Sequence, residues 1–253
     1  MIVTGGEGFI GKALVAALIE RGHQVLSIDR LNGTEVKEFF DSNPRLRDVE
    51  CVFHLAAQTS VFNHNRAKII HDNILAFISV ADACRKAHVP LVYASSSTAN
   101  PMNTTSLYGI SKHFDEEYAR CYFPQAVGVR LHNVYGSNPR QGTLLWHLLH
   151  DQPVKLVSEG RNKRHFTFID DVVKGLLIAK DSDHQLINIV NPEQTSILDF
   201  ASEVRKYNGA EIDLLTGQRQ FDKSLQMVDE SVYTLPLPYT TVQEGIRKIF
   251  SGN

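Results

Sequence analysis

Three glycines, Gly5, Gly8 and Gly11, lie between the strand stub Ile2-Val3 and an apolar-periodic run from Lys12 to Arg21, and no other feature constrains this chain as much. Small residues at that spacing allow a tight turn, close approach of a pyrophosphate and tight packing of a helix on a strand. The helix that follows offers free backbone N–H groups to an anion, and Gly22 closes it. A second strand, Gln24 to Asp29, ends on a carboxylate eighteen residues after Gly11. An acid there bonds the adenosine-ribose hydroxyls of a dinucleotide and repels a 2′-phosphate, which favours NAD over NADP, with Arg30 pulling the other way.

Strands and helices then alternate. A buried strand is expected around Cys51 to Leu55, a helix from about Ala67 to Ala87, a strand from Leu91 to Ala94, a helix from Ser106 to Cys121 and a strand from Ala126 to Leu131. This order predicts an α/β fold with a doubly wound parallel sheet, Rossmann-like. Beyond about residue 135 the pattern is shorter and more mixed. We read residues 1–135 as the dinucleotide-binding domain, with later segments returning to it, and 136–253 as a small α/β substrate-binding cap. A chain of 253 residues is long enough for that division.

The net charge of -2 gives no bulk preference for nucleic acid or anionic membrane, so any phosphate site has to be local. Cys51, Cys84 and Cys121 lack metal-ligand spacing and read as buried thiols in a reducing cytoplasm. The histidines form no ligand cluster, so no metal is expected. With no basic segment leading into an apolar stretch at the N-terminus and no 18-residue apolar run, neither export nor membrane spanning is expected.

Tyr108 and Lys112 stand four residues apart in a helical stretch and so share one face. A cation roughly 5 Å from a phenol, at an effective dielectric near 20, favours phenolate by about 3 kcal/mol, which suits general-base work. Such pairs also occur on many solvated helix faces, so this one takes its meaning from its surroundings. The run Ser95-Ser96-Ser97-Thr98 ends an apolar strand at the sheet edge where sites form in such folds. Asn73, polar among Ile70, Ile74 and Phe77, is expected to tie backbone at the floor of the site. His54 and His132 read as structural or cofactor-adjacent. Arg164 suits a diphosphate, although the basic stretch Arg161-Asn162-Lys163-Arg164 reads equally well as a solvated loop.

Thr4 to Gly11, His54-Leu55-Ala56-Ala57, Asn73, Tyr93 to Ser97, Tyr108 to Lys112, Arg130 to Gly136 and Arg164 to Asp171 occur together and in one order. In this the chain resembles the extended short-chain dehydrogenase/reductases, and within them the NAD-dependent nucleotide-sugar epimerases and dehydratases. The resemblance implies NAD as cofactor, held by Gly5, Gly8, Phe9, Ile10, Gly11, Asp29, Arg30, Leu55, Ala56, Ala57 and Asn73, with Tyr108 and Lys112. It implies that Tyr108 is the base, that Lys112 holds the nicotinamide ribose and favours the phenolate, and that a serine bonds the reacting sugar oxygen. Strand alignment selects Ser96, with Ser95 one register away and Ser97 also in reach. For a nucleotide-diphosphate sugar it implies contacts from Asn133 and Arg164, the latter on the diphosphate, with Arg219 or Lys223 as candidates for a second cation. Family members commonly pair through the two long helices, so a homodimer is expected.

The chain also departs from the family. Thr98-Ala99-Asn100-Pro101 replaces the usual Val-Tyr-Gly continuation, and twelve positions separate Ser96 from Tyr108, which predicts an open sugar side. Between Asp29 and Cys51 the family's third strand is shortened, with Asp41 as its remnant or as part of a helix from Glu35 to Phe40. The acids that sugar dehydratases and decarboxylases carry beside the active hydroxyl are absent from Ser97-Thr98-Ala99. The expected activity is 4-epimerisation, by transient oxidation to a keto sugar and return of hydride to the opposite face. The alternatives are an NAD(P)H-dependent keto-sugar reductase and a non-catalytic dinucleotide-binding sensor or scaffold.

Overall fold

The computed structural model describes residues 1–59, 65–151, 153–217 and 226–252. Strand β1 (Ile2–Thr4) leads through the glycine turn into α1 (Phe9–Glu20), followed by β2 (Leu26–Ile28), α2 (Val36–Asp41) and β3 (Val52–His54). Next come α3 (Arg66–Ile69), α4 (Ala76–Ala87), β4 (Leu91–Ser96), α5 (Leu107–Tyr122) and β5 (Val127–Leu131). The later half holds β6 (Val134–Tyr135), α6 (Leu144–His150), β7 (Val154–Leu156), β8 (Lys163–Arg164), β9 (Thr167–Phe168) and α7 (Ile169–Ala179). It ends with β10 (Leu186–Ile189), β11 (Thr195–Ser196), α8 (Ile197–Asn208), β12 (Ile212–Leu214), β13 (Tyr233–Thr234) and α9 (Val242–Ser251).

Seven parallel strands form one sheet in the order β13-β10-β5-β4-β3-β1-β2. Strands buried on both faces need helices on both, and two apolar clusters supply them. On one face Phe40, Phe77, Val80, Cys84 and Phe123 from α2, α4 and the end of α5 pack under Tyr93. On the other, Leu14 and Leu18 of α1 meet Val172 and Leu176 of α7 over Phe53, Val129 and Ile187. A third cluster, with Leu148, Phe166, Phe168, Phe200, Val204 and Ile246, is the core of the cap, whose paired strands are β6 with β9, β7 with β12 and β8 with β11. β10 and β13 lie in the main sheet although they follow cap segments in the chain.

Four sequence expectations change. α1 starts at Phe9 rather than Lys12, because Gly8 caps it in an extended conformation and Gly11 falls inside the first turn. The helix expected over Ala67–Ala87 is broken in phase by a π turn, Ile70–Leu75, between α3 and α4. Asp41 belongs to α2, where it pairs with Lys37 at 2.5 Å, so no remnant of a third strand is present there and β2 is the sheet edge. Cys51 and Cys84 are buried free thiols, but Cys121 is exposed. The inward stripe of α5 runs through Lys112, Asp115, Glu116 and Ala119, and position 121 falls outside it.

Candidate active site

A cavity of about 580 Å³ opens at the C-terminal edge of the sheet, where β1, β3, β4 and β5 end. At its adenosine end the glycine turn is closed by Gly5 N–H on Ile28 O (2.8 Å) and Gly8 N–H on Gly5 O (3.0 Å). Gly5 has φ +70, and a Cβ on Gly11 would come within 2.0 Å of Gly5 O, so the turn admits only glycine at these points. Phe9 and Ile10 also line this part of the cavity. The Asp29 carboxylate receives the N–H groups of Glu7 (3.2 Å) and Leu31 (3.0 Å) and faces the cavity. Arg30 lines the same end and reaches Asp72 at 3.3 Å. Burial would raise the Asp72 carboxyl, but hydrogen bonds with His71, Gln58 and Lys68 prevail and hold it below its ordinary value.

Leu55, Ala56 and Ala57 form the next stretch of wall. Leu55 N–H bonds Thr4 O (3.0 Å) and Ala56 N–H reaches Thr4 Oγ1 (3.3 Å). Thr4 Oγ1 also pairs with His54 Nδ1 at 2.7 Å. Burial, helped by the nearby Lys112 charge, presses His54 down to about 3, so it is a neutral structural residue. Asn73 lies in the π turn, wholly buried behind the wall. Its Oδ1 accepts from Gln58 N (2.7 Å), and its Nδ2 donates to Gln58 O (3.2 Å) and Ser111 Oγ (2.9 Å). Ser111 in turn donates to Tyr108 O at 2.8 Å. Asn73 thus joins the loop after β3 to the start of α5 without lining the cavity itself.

Ser106 caps α5 by accepting Gly109 N–H, and the first two turns bring both Tyr108 and Lys112 to the cavity. Lys112 is 2% exposed and its Nζ lies 3.0 Å from Asp115 Oδ2. The serines separate by partner. Ser95 Oγ donates to Glu116 Oε1 (2.5 Å), a carboxylate already held by Arg130 through two contacts of 2.8 Å. Ser96 Oγ pairs with Thr98 Oγ1 (2.8 Å) and accepts Thr98 N–H (3.1 Å). Ser97 Oγ accepts from Gln226 Nε2 at 2.6 Å.

Gln226 also accepts from Asn133 Nδ2 at 2.6 Å, so it bridges the serine run and β5's exit across the sugar side of the cavity. Next to it, Asn103 Nδ2 donates to Met227 O (2.6 Å) and Met227 N–H returns a bond to Asn103 Oδ1 (2.9 Å). The open sugar side expected from the short loop is therefore partly covered by a segment from the far end of the chain. Arg140 and Thr143 line the cavity as well. Gln226, Arg140 and Thr143 were not visible in the sequence reading, since none sits in a motif, although Thr143 caps α6 and a threonine before an apolar helical run is a signal that could have found it. Arg164 lies in β8, where its Nη1 donates to Lys163 O, and it does not line this cavity. Arg219 and Lys223 lie outside the described residues. Among the described residues no cluster of three or more His, Cys, Asp or Glu could hold a metal, and no helix is long and apolar enough to cross a membrane.

A glycine turn that a Cβ would fill, a carboxylate at the end of β2 and a lysine beside a tyrosine at the other end fit a nicotinamide dinucleotide along the cavity. Residues 1–190 match the family described as the NAD dependent epimerase/dehydratase family. Among curated proteins, a putative UDP-glucose 4-epimerase of Methanocaldococcus jannaschii is 27% identical over 98% of this chain and 96% of its own length. The UDP-glucuronic acid 4-epimerase of Bacillus cereus, solved with UDP-glucuronic acid and NAD, superposes with a TM-score of 0.81 at 23% identity, covering 99% of this chain and 97% of that one. An NAD-dependent NDP-hexosamine 5,6-dehydratase from tunicamycin biosynthesis superposes with a TM-score of 0.83 at 24% identity, covering 99% and 96%. The relatives thus carry out more than one reaction on a shared fold. The chain belongs to the NAD dependent epimerase/dehydratase family of extended short-chain dehydrogenase/reductases, and NAD is its cofactor.

Proposed function

We propose that the protein is a nucleotide-sugar 4-epimerase, with a nucleoside-diphosphate sugar as substrate. One observation carries this reading: Ser96, Tyr108 and Lys112 meet on the cavity, and the polar groups that line it beside them are hydroxyls and amides, including Ser97, Thr98, Asn133 and Gln226. The carboxylates that line the cavity, Asp29, Glu35 and Asp72, belong to the adenosine end. Eliminating water or carbon dioxide from a sugar calls for an additional acid–base group beside the reacting carbon; epimerisation at a carbinol does not.

In this scheme Tyr108 removes the proton of the reacting sugar hydroxyl, and Ser96 bonds the same oxygen as its charge changes. Lys112 stands one helical turn from Tyr108 on the same cavity and holds the nicotinamide ribose. When bound, NAD supplies reversible hydride exchange at that carbon. For inversion the sugar must turn while the nucleotide stays fixed. The amides of Asn133 and Gln226 suit such a pocket, because they can exchange partners without gaining or losing charge. A homodimer through α4 and α5 is part of the proposal, supported by the exposed Ile110 and Tyr122 on α5 and Ile70 in the π turn that leads into α4. Free, unpaired thiols fit a cytoplasmic setting.

Incubating the protein with UDP-glucose, UDP-galactose, their N-acetyl forms and the dTDP counterparts, with product separation by chromatography, tests the activity. Interconversion of a 4-epimer pair without net consumption of NAD is expected. Stoichiometric NAD(P)H consumption would mark a reductase, and no conversion of any pair by NAD-loaded protein would refute epimerisation of these sugars. Light scattering checks the dimer.

A further inference from the structure

Asp115 has no place in the chemistry just described, yet it is fully buried and bonds the ammonium that faces the cofactor. Only Oδ2 is engaged, at 3.0 Å from Lys112 Nζ; Oδ1 accepts no hydrogen bond from the described residues. Burial pushes the carboxyl up to about 7 against the opposing pull of Lys112. A buried carboxylate with half its acceptors unused is a poor packing element, and an apolar side chain would fill the space at less cost.

Apart from Tyr108, the described side chains around the pair offer Lys112 no other counter-ion. Glu116, next in sequence, is taken by Arg130 and Ser95. His54 from β3 is neutral, and burial raises the Tyr93 phenol from β4 well above its usual value, so it is neutral too. Arg130 from β5 is itself paired with Glu116 and Asp229. The oxidised nicotinamide ring carries a positive charge that the reduced ring lacks. A bare ammonium close to that ring would therefore penalise NAD relative to NADH.

We propose that Asp115 is a positioning residue and the counter-ion of Lys112, which keeps this end of the cavity near electrical neutrality so that the oxidised cofactor binds as well as the reduced one. The proposal rests on the reading of Lys112 as the cation beside the nicotinamide ribose. An enzyme that holds both redox forms within one turnover needs such balance.

The test is the ratio of NAD to NADH affinity, from fluorescence titration with NADH and its displacement by NAD at pH 8, where Asp115 is ionised. Asp115→Asn is expected to weaken NAD relative to NADH by about tenfold. Lys112→Met should shift the ratio the other way, and the double variant should return it towards wild type. If Asp115→Asn leaves the ratio unchanged while Lys112→Met moves it, the role of Asp115 is wrong and that of Lys112 stands. If neither variant moves it, Lys112 does not face the nicotinamide and both fall. Should Asp115→Asn not fold, wild-type protein titrated from pH 9 down to pH 5 gives the answer, since protonation of Asp115, whose carboxyl burial raises, mimics the substitution. The NAD to NADH affinity ratio is expected to fall towards pH 5, and a flat ratio overturns the proposal.

Discussion

The two ends of the cavity are built in opposite ways. The adenosine end is made largely from backbone: a glycine turn, a helix start and the exit of β3, with Asp29, Glu35 and Asp72 as its carboxylates. The sugar end is assembled from side chains far apart in the chain, with Ser97, Asn133 and Gln226 joined by two bonds of 2.6 Å. A backbone site tolerates no change at its glycines but is indifferent to much around them. A side-chain site can be re-specified one residue at a time, which suits relatives that share a fold and differ in reaction.

Substitutions can break this contrast. The largest effect is expected for Tyr108→Phe, which should lower kcat by about 10²–10⁴ in the epimerisation assay while NAD affinity barely moves. Equal loss of cofactor binding would mean that the sugar end and the cofactor end are not separable at α5. Gly11→Ala should act in reverse. Its Cβ meets Gly5 O at 2.0 Å, so the turn must open, with a loss of about 1–3 kcal/mol in stability by denaturant unfolding and a collapse of NAD affinity. Gly22→Ala, at φ +83 with nothing within 4 Å, should cost stability only.

Acid should discriminate next. His54 and His132 are pressed from 6.5 to about 3, in each case first by burial. A base whose folded value is depressed stabilises the fold above its unfolded value and loses that contribution as pH falls. Each histidine should therefore remove about 1.4 kcal/mol per pH unit below about 6.5, down to about 3. Asp115, raised from 3.8 to about 7, runs the other way: its contribution is full below 3.8 and is lost as pH rises through about 7. Urea unfolding from pH 7 to 4 should show a net decline, and His54→Asn should flatten it. The smallest effect is expected for Gln226→Ala, which leaves Asn133 and Ser97 without their shared partner. The KM for the sugar nucleotide should rise about tenfold, as for the loss of two partly buried hydrogen bonds that position the pocket, with NAD affinity unchanged.

The same contrast explains what was legible. Gly5 to Gly11, Asp29 and Leu55 to Ala57 could be read because turn chemistry and strand ends impose residue types at fixed spacing. Tyr108 and Lys112 could be paired because a helix repeats. The link from Asn103 to Met227 spans 124 positions and no local rule points to it. Asp115 was invisible for another reason: an acid three residues after a lysine is ordinary on a helix, and only burial makes it unusual. The missing third strand was legible as a shortening, but not that α2 would pack against α4 instead.

The π turn at Ile70–Leu75 gives the stretch between α3 and α4 one residue more than a continuous α-helix would hold. Removing one residue between Ile69 and Ala76 would let the segment relax into an ordinary helix while α4 kept its phase, because a π turn holds about one residue more than an α turn of the same rotation. Phe77 and Val80 would stay in the core, and Asn73, inside the turn, would be the residue to lose its register against Gln58 and Ser111. The extra residue therefore serves the site and not the core, and its loss would spare the fold while costing Asn73 its place.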